Sequence, residues 1–268
     1  MREGGRDMFE DKHVAITGAG GGIGRAFAEM FIAEGAKVSI CDLRDPTDVA
    51  REIGATGYAC DVSDESAVQD LIVKSGSMNG PIDIYIANAG VGFSDHPAGH
   101  AAGAGNGAWE TSWQVNVMGA VYAARALLPS WIARGSGNFV IVASAAGLLN
   151  QIGSASYSTT KHAAVGFSEA IAIAHRDDGI SAHCVCPQYV RTNMTKGMKF
   201  AENNPDGLLE PSDVANALKK AIKDDIFMVL PHPVVGDYFK AKAMDYEGWI
   251  DGMVRLRRKV PFPGVNSG

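Results

Sequence analysis

The chain has 268 residues, 46% of them hydrophobic, and a formal net charge of −6. That length suits one large domain, and the apolar share excludes a disordered chain. The acidic balance argues against a nucleic-acid partner, whose phosphates need a basic face. Cys41, Cys60, Cys184 and Cys186 form no CxxC pair and fall in apolar runs. Buried reduced thiols and a cytoplasmic location are therefore expected, and a zinc or other metal site is not. Met1–Asp11 lacks the apolar stretch of a secretory signal, and no run reaches the length of a membrane span.

His13–Thr17 is a short apolar run that predicts a buried parallel strand. Gly18-Ala19-Gly20-Gly21-Gly22-Ile23-Gly24 follows, then a helical pattern over Arg25–Ala33 with Phe27, Met30 and Phe31 on one face. A strand, a glycine turn and a helix start form an anion cradle, because the first helical N–H groups lack partners. Glycines let backbone approach a pyrophosphate. The spacing Gly18-xxx-Gly22-x-Gly24 departs from the common G-x-G-x-x-G fingerprint. Lys37–Asp42 is the next strand. Asp42 falls about 20 residues past the turn, where a carboxylate can accept from a ribose 2′-OH and repels a 2′-phosphate. This favours NAD over NADP; Arg44 is the feature that speaks for NADP. The competing reading of Asp42 is a strand-end cap.

Pro46–Ile53 reads as a helix and Gly57–Cys60 as a strand. Asp61-Val62-Ser63-Asp64 leads into a helix through Lys74, with Ser63 or Asp64 as its cap. Asp61 is either an adenine contact or a cap. Ile82–Ala87 is the fourth strand, closed by Asn88-Ala89-Gly90, small residues that let the backbone pass close to a flat group. Val91–Ala108 holds His96, His100, Gly99, Gly103, Gly105 and Gly107 and reads as a loop at the carboxyl ends of the strands. Trp109–Arg134 is a long helix that Pro129 breaks late, with Asn116 a poor helix former inside it.

Gly137–Ser144 is the fifth strand and delivers Ser144 to the same edge. Ser154–Asp177 is a long helix on which Tyr157 and Lys161, four apart, share a face. The ammonium is expected to lower the phenol from its ordinary pKa of about 10, which suits proton transfer at a carbonyl or alcohol oxygen. Ser181–Cys186 is the sixth strand, ending at Pro187. Asn193–Pro211 is a loop with Met194, Met198 and Phe200, a flexible apolar wall for a bulky substrate. Pro211-Ser212-Asp213 opens another helix, and Ile226–Leu230 is the seventh strand. Val234–Leu256 places Tyr238, Phe239, Met244, Trp249, Ile250 and Met253 at loosely helical spacing, a face for the domain or a partner subunit. Arg255–Lys259 reads as a solvated run. With no repeat or linker, residues 1–268 read as one domain, with a core of about 12–230 and a helical tail over 231–268. Seven strands alternating with helices predict an α/β fold of Rossmann type: a doubly wound, seven-stranded parallel sheet with helices on both faces. Such sheets bind ligands at the carboxyl ends of their strands, where every candidate residue falls.

Thr17-Gly18-xxx-Gly22-Ile23-Gly24, Asn88-Ala89-Gly90, Asn116, Ser144 and Tyr157-xxx-Lys161 stand in order and at spacings that resemble the short-chain dehydrogenase/reductase family. The resemblance covers roughly residues 12–230 and implies an enzyme that interconverts alcohols and carbonyls with NAD(P). It implies Tyr157 as acid/base, Ser144 as donor to the substrate oxygen, Lys161 as ribose anchor and pKa tuner, and Asn116 as holder of a relay water. Cofactor contacts are expected at Gly18, Gly22, Ile23, Gly24, Asp42, Asp61, Val62, Asn88, Ala89, Gly90, Tyr157, Lys161, Pro187, Val190 and Thr192. Substrate contacts are expected at Ser144, Tyr157 and Gln188. The family also implies a homotetramer, or a dimer through the Tyr157 helix. One departure stands out: the family has Pro-Gly after the sixth strand, and here the pair is Pro187-Gln188. The expected activity is NAD-dependent interconversion of a bulky, hydrophobic or aromatic secondary alcohol and its ketone by hydride transfer. The alternatives are an NADPH-dependent carbonyl reductase and a non-catalytic sensor or scaffold that binds the cofactor.

Overall fold

The computed structural model describes residues 8–97, 100–196 and 206–259. The expected loop residues Gly99, Met198 and Phe200 lie outside them. Each apolar run forms a strand: β1 (His13–Thr17), β2 (Lys37–Asp42), β3 (Thr56–Ala59), β4 (Ile84–Ala87), β5 (Gly137–Val142), β6 (Ile180–Val185) and β7 (Met228–Val229). All pair in parallel, in the order β3-β2-β1-β4-β5-β6-β7. Alternate residues point to opposite faces. Val14, Ile16, Val38, Ile40, Ile84, Ile86, Val140 and Val142 therefore join one buried core, and Ala15, Cys41, Tyr85, Phe139, Ile141 and Cys184 the other. A sheet covered on both faces is largely apolar along each strand, which is why these strands read as near-continuous runs.

The helices between the strands are α1 (Gly22–Ala33), α2 (Thr47–Ile53), α3 (Glu65–Asn79), α4 (Asn106–Trp113), α5 (Gly119–Arg134), α6 (Ala146–Leu149), α7 (Ala155–His175) and α8 (Pro211–Lys223). Two more close the described chain, α9 (Val234–Met244) and α10 (Tyr246–Arg257). Asp64 caps α3 by accepting from the N–H groups of Ser66 and Ala67. In α1, Phe27, Ala28 and Phe31 bury a face against the first core. Truncating either phenylalanine to alanine costs about 3–5 kcal/mol.

Two expectations need correction. Pro129 does not break its helix: α5 runs through it to Arg134. Pro129 and Arg125 are both exposed, so the carbonyl bond that proline forfeits is lost where water can replace it. The buried Trp131 then pins the last turn, donating Nε1–H to the Ile82 carbonyl at 2.8 Å. The real irregularity lies earlier, where Gln114–Met118 form one π turn between α4 and α5. The seventh strand is also shorter than expected, reduced to Met228–Val229. The tail forms two helices, with Asp245 as cap of the second. Lys242 of α9 donates to the Leu148 carbonyl at 2.7 Å and fastens that helix over α6.

Candidate active site at the carboxyl edge of the sheet

The strand order reverses between β1 and β4, and a crevice opens beyond their carboxyl ends. The glycine turn fills one wall. Gly18 has φ +62 and packs so closely on Ala89 that a Cβ would lie 2.7 Å from its Cα. A Cβ on Gly24 would lie 2.5 Å from the Gly18 carbonyl oxygen and 2.6 Å from Asn88 Nδ2. Asn88 locks this turn, its amide donating to the Thr17 and Gly18 carbonyls at 2.9 Å each. The Thr17 hydroxyl in turn accepts the N–H groups of Asn88 and Ala89, both at 3.0 Å. Sequence reasoning quoted Thr17 but gave it no role; a hydroxyl on the last residue of a buried strand was the available signal.

Asp42 accepts the Gly20 N–H at 3.0 Å. It therefore braces the turn, the competing role foreseen for it, and stands beside the cradle. Asp61 closes the turn before α3, where its carboxylate accepts the N–H of Ser63 at 2.9 Å and the Ser63 hydroxyl at 2.7 Å; the cap itself is Asp64. Val62 packs against Gly119 at the start of α5. Ile23 packs on the core beneath the turn, and Gly22 faces Thr192, whose Cγ2 lies 3.2 Å from where its Cβ would stand. Val190 pairs with Leu209 in an isolated bridge.

The second wall carries the titratable groups. Asn116 sits in the π turn, a distortion that often marks functional positions. Its side chain accepts the Val91 N–H at 2.8 Å and donates to the Val91 carbonyl and the Thr160 hydroxyl, each at 2.9 Å. Gly90 lies between Asn116 and Lys161: a Cβ there would stand 3.3 Å from both Asn116 Oδ1 and Lys161 Nζ. Lys161 is buried and donates to the Val142 carbonyl at 2.9 Å. Burial lowers its pKa to about 8. Its ammonium stands 5.6 Å over the Tyr157 ring centroid. Ser144 is buried, accepts the Ala146 N–H at 3.1 Å and donates to the Pro187 carbonyl at 3.5 Å.

Tyr157 overturns one expectation. Its pKa is raised, first by burial, and a hydrogen bond with Ser144 offsets only part of the rise. The loss of water outweighs whatever the nearby ammonium contributes. The missed residues here are those that place α7. Buried Asp95 accepts the Ala155 N–H at 3.1 and 3.2 Å, and Ser154 donates to the Phe93 carbonyl at 2.6 Å. Nothing in their spacing ties them to Tyr157.

Gln188 is built into a separate polar group. Its Nε2 donates to Asp206 at 3.1 Å, and its backbone N–H to His232 Nδ1 at 3.3 Å. Among the described residues no group of three or more His, Cys, Asp or Glu could hold a metal ion, and no helix is long and apolar enough to cross a membrane.

The glycine turn fits a dinucleotide. At the α1 N-terminus, Gly21 supplies no capping side chain and the first turn carries no acid, so no side chain of the helix itself competes for its first N–H groups. A sheet that switches order at such a turn, with Ser144, Tyr157, Lys161 and Asn116 gathered beside it, defines a class of dehydrogenase. The short chain dehydrogenase family model matches residues 12–203. The chain belongs to that family and is an oxidoreductase of the short-chain type. Among its relatives, meso-2,3-butanediol dehydrogenase of Serratia marcescens is 35% identical over 229 residues, 81% of this chain and 89% of that protein. A solved short-chain dehydrogenase/reductase from Burkholderia phymatum, in complex with NAD, has a TM-score of 0.78 at 28% identity, covering 89% of this chain and 95% of its own. The 3-ketoacyl-(acyl-carrier-protein) reductase from Brucella melitensis, complexed with NADH, has a TM-score of 0.76 at 31% identity, covering 83% and 96%.

Proposed function

We propose that this chain is an NAD-dependent dehydrogenase that interconverts a secondary alcohol with an apolar skeleton and its ketone. The observation that carries the reading is the grouping of Ser144, Tyr157, Lys161 and Asn116 beside the uncapped start of α1. A bound nicotinamide dinucleotide supplies the acceptor for the hydride leaving the carbinol carbon. Gly18, Gly22, Ile23, Gly24, Asn88, Ala89 and Gly90 shape the cradle, with Val62, Pro187, Val190 and Thr192 on its rim. Asp42 meets the adenosine ribose, and its charge disfavours a 2′-phosphate. Asp61 stands at the adenine end.

Tyr157 takes the hydroxyl proton of the alcohol and returns it in the reverse direction. Ser144 donates to the same oxygen and orients it. Lys161 anchors a ribose and adds positive charge near the phenol, and Asn116 holds the backbone of Val91 against α7. The butanediol dehydrogenase relative and the two solved structures with NAD or NADH support this reading. The four free cysteines, all buried, support a reducing compartment such as the cytoplasm. Ile173, 85% exposed on α7, supports association of copies through that helix.

The test is Tyr157→Phe. Oxidation of 1-phenylethanol with NAD should fall about a thousandfold, within the usual range for a lost acid/base group. NAD affinity should stay near normal. Loss of NAD binding with turnover per bound cofactor unchanged would refute the assigned role.

A further inference from the structure

Tyr157 is spanned by a strap, residues 91–95, that follows Asn88-Ala89-Gly90. At one end of the strap Asn116 bonds both backbone groups of Val91. The same side chain donates to the Thr160 hydroxyl, which in turn donates to the carbonyl of Tyr157 at 2.9 Å. In the middle Gly92 rests on the phenol ring: a Cβ there would stand 3.3 Å from Tyr157 Cδ2. At the far end strap and helix exchange bonds. Ser154, the N-cap residue of α7, makes no side-chain cap; its hydroxyl donates to the Phe93 carbonyl at 2.6 Å. The strap supplies the cap instead. Both oxygens of Asp95 lie within reach of the Ala155 N–H, at 3.1 and 3.2 Å, and the Asp95 N–H donates to the Gly153 carbonyl at 2.9 Å.

The first turn of α7 carries no acid of its own. A helix start without a cap leaves its first N–H groups unpaired and frays, and a carboxylate beside it is held by the helix dipole. Asp95 is 6% exposed, and a charge that deep is tolerated only where it is paired. Tyr157 is the third residue of the turn that Asp95 closes. Fraying there would carry the phenol with it, and a displacement of about 1 Å at a reacting group can cost about a hundredfold in rate. We propose that Asp95 is a positioning residue for the reaction: with Gly92 laid on the ring, it clamps the first turn of α7 and holds the Tyr157 phenol at the reacting oxygen. This rests on the alcohol-oxidation reading and names a residue outside the acid/base set on which turnover depends.

The experiment measures the full chain with NAD and apolar secondary alcohols, 1-phenylethanol first. Asp95→Ala should lower kcat about ten- to a hundredfold, while KM and Kd for NAD move less than about threefold. Asp95→Asn keeps an oxygen for the Ala155 N–H and should hold kcat within about threefold of wild type. Gly92→Ala sets a methyl group against the ring without touching Ala155 and should lower kcat about tenfold. Burial raises the Tyr157 phenol, and a loosened ring regains water. Ultraviolet titration without NAD, read as the difference from Tyr157→Phe, should therefore move down toward the ordinary tyrosine range in Asp95→Ala. Urea unfolding gives the folded fraction of each variant, and rates are taken per folded molecule. Should Asp95→Ala not fold, Gly92→Ala and Ser154→Ala, which removes only the Phe93 bond, decide by the same readouts. A lower urea midpoint with kcat and the Tyr157 titration unchanged overturns the inference, because Asp95 is then a helix cap and nothing more. An Asp95→Asn protein as slow as Asp95→Ala also overturns it. If the wild type oxidises no alcohol, the alcohol-oxidation reading fails, and the Tyr157 titration alone decides whether Asp95 holds the phenol.

Discussion

Lys161→Met should make the protein more stable near neutral pH while abolishing activity. Lys161 is only 4% exposed, and burial brings its pKa from 10.5 down to about 8. At about 1.4 kcal/mol per tenfold change in proton affinity, the buried ammonium costs about 3 kcal/mol. Methionine fills the same space without charge. It also leaves the Val142 carbonyl without its 2.9 Å donor, a loss of about 1–2 kcal/mol. The balance is a gain of about 1–2 kcal/mol at pH 7. The sign must then reverse. Lys161 has a lower pKa folded than unfolded, so between about pH 8 and 10.5 the unfolded chain holds the extra proton. Wild-type stability gains a rising term across that window, complete above 10.5 and lost as pH falls through 8. The variant lacks this term, so the two curves should cross at about pH 9. Urea unfolding of both proteins at pH 7, 8, 9 and 10, at one protein concentration, tests this. Other groups titrate in both proteins and largely cancel in the difference. A variant less stable by the same margin at every pH would refute the claim that the ammonium is held at a cost.

Gly24→Ala should cost about 1–3 kcal/mol and weaken NAD binding at least about tenfold, because its Cβ meets the Gly18 carbonyl at 2.5 Å; fluorescence titration and thermal unfolding report both, and an unperturbed Kd would contradict the packing argument. Asp42→Ala should lower the NAD-to-NADP ratio of kcat/KM about tenfold or more by removing the charge that disfavours a 2′-phosphate; an unchanged ratio would assign Asp42 to the Gly20 brace alone. Burial raises the Tyr157 phenol. Ultraviolet titration should therefore show the Tyr157 phenolate only above the ordinary tyrosine range without NAD and at lower pH with NAD bound; identical titrations with and without NAD would refute this.

The sheet, and the gathering of the candidate residues at its carboxyl edge, were legible because they follow from local patterns. A strand covered on both faces is mostly apolar, and the glycines of the turn are forced by contacts with Gly18, Ala89 and Asn88. The π turn at Asn116 was not legible, since its cause is tertiary: the side chain is drawn to the backbone of Val91 and to Thr160, 25 and 44 residues away. Pro129 was misread because propensity counts the lost bond and not the solvent that replaces it. The surroundings of Gln188 were hidden for the same reason as those of Asn116. Asp206 and His232 lie 18 and 44 residues from it, on segments that only the docking of α9 and the end of β7 bring together.

The pKa directions in the site carry a further consequence. Burial pushes the Tyr157 phenol up and the Lys161 ammonium down, so each prefers its neutral form more than it would in water. The expectation of a charged pair assembled by helix spacing alone fails because the same apolar core that holds the two residues in register also strips their water. Proximity supplies attraction, with the ammonium 5.6 Å from the ring centroid. The phenolate must then be favoured by charge that arrives with the ligands. A cationic ring seated near Tyr157 adds that charge, and a reduced, neutral ring withdraws it. On the proposed function, oxidation would then get its base only with oxidised cofactor bound, and reduction would find a protonated donor with the reduced one. If the phenol titrated alike in the empty and NAD-bound proteins, this coupling between cofactor state and proton inventory would be absent, and the site would need another base.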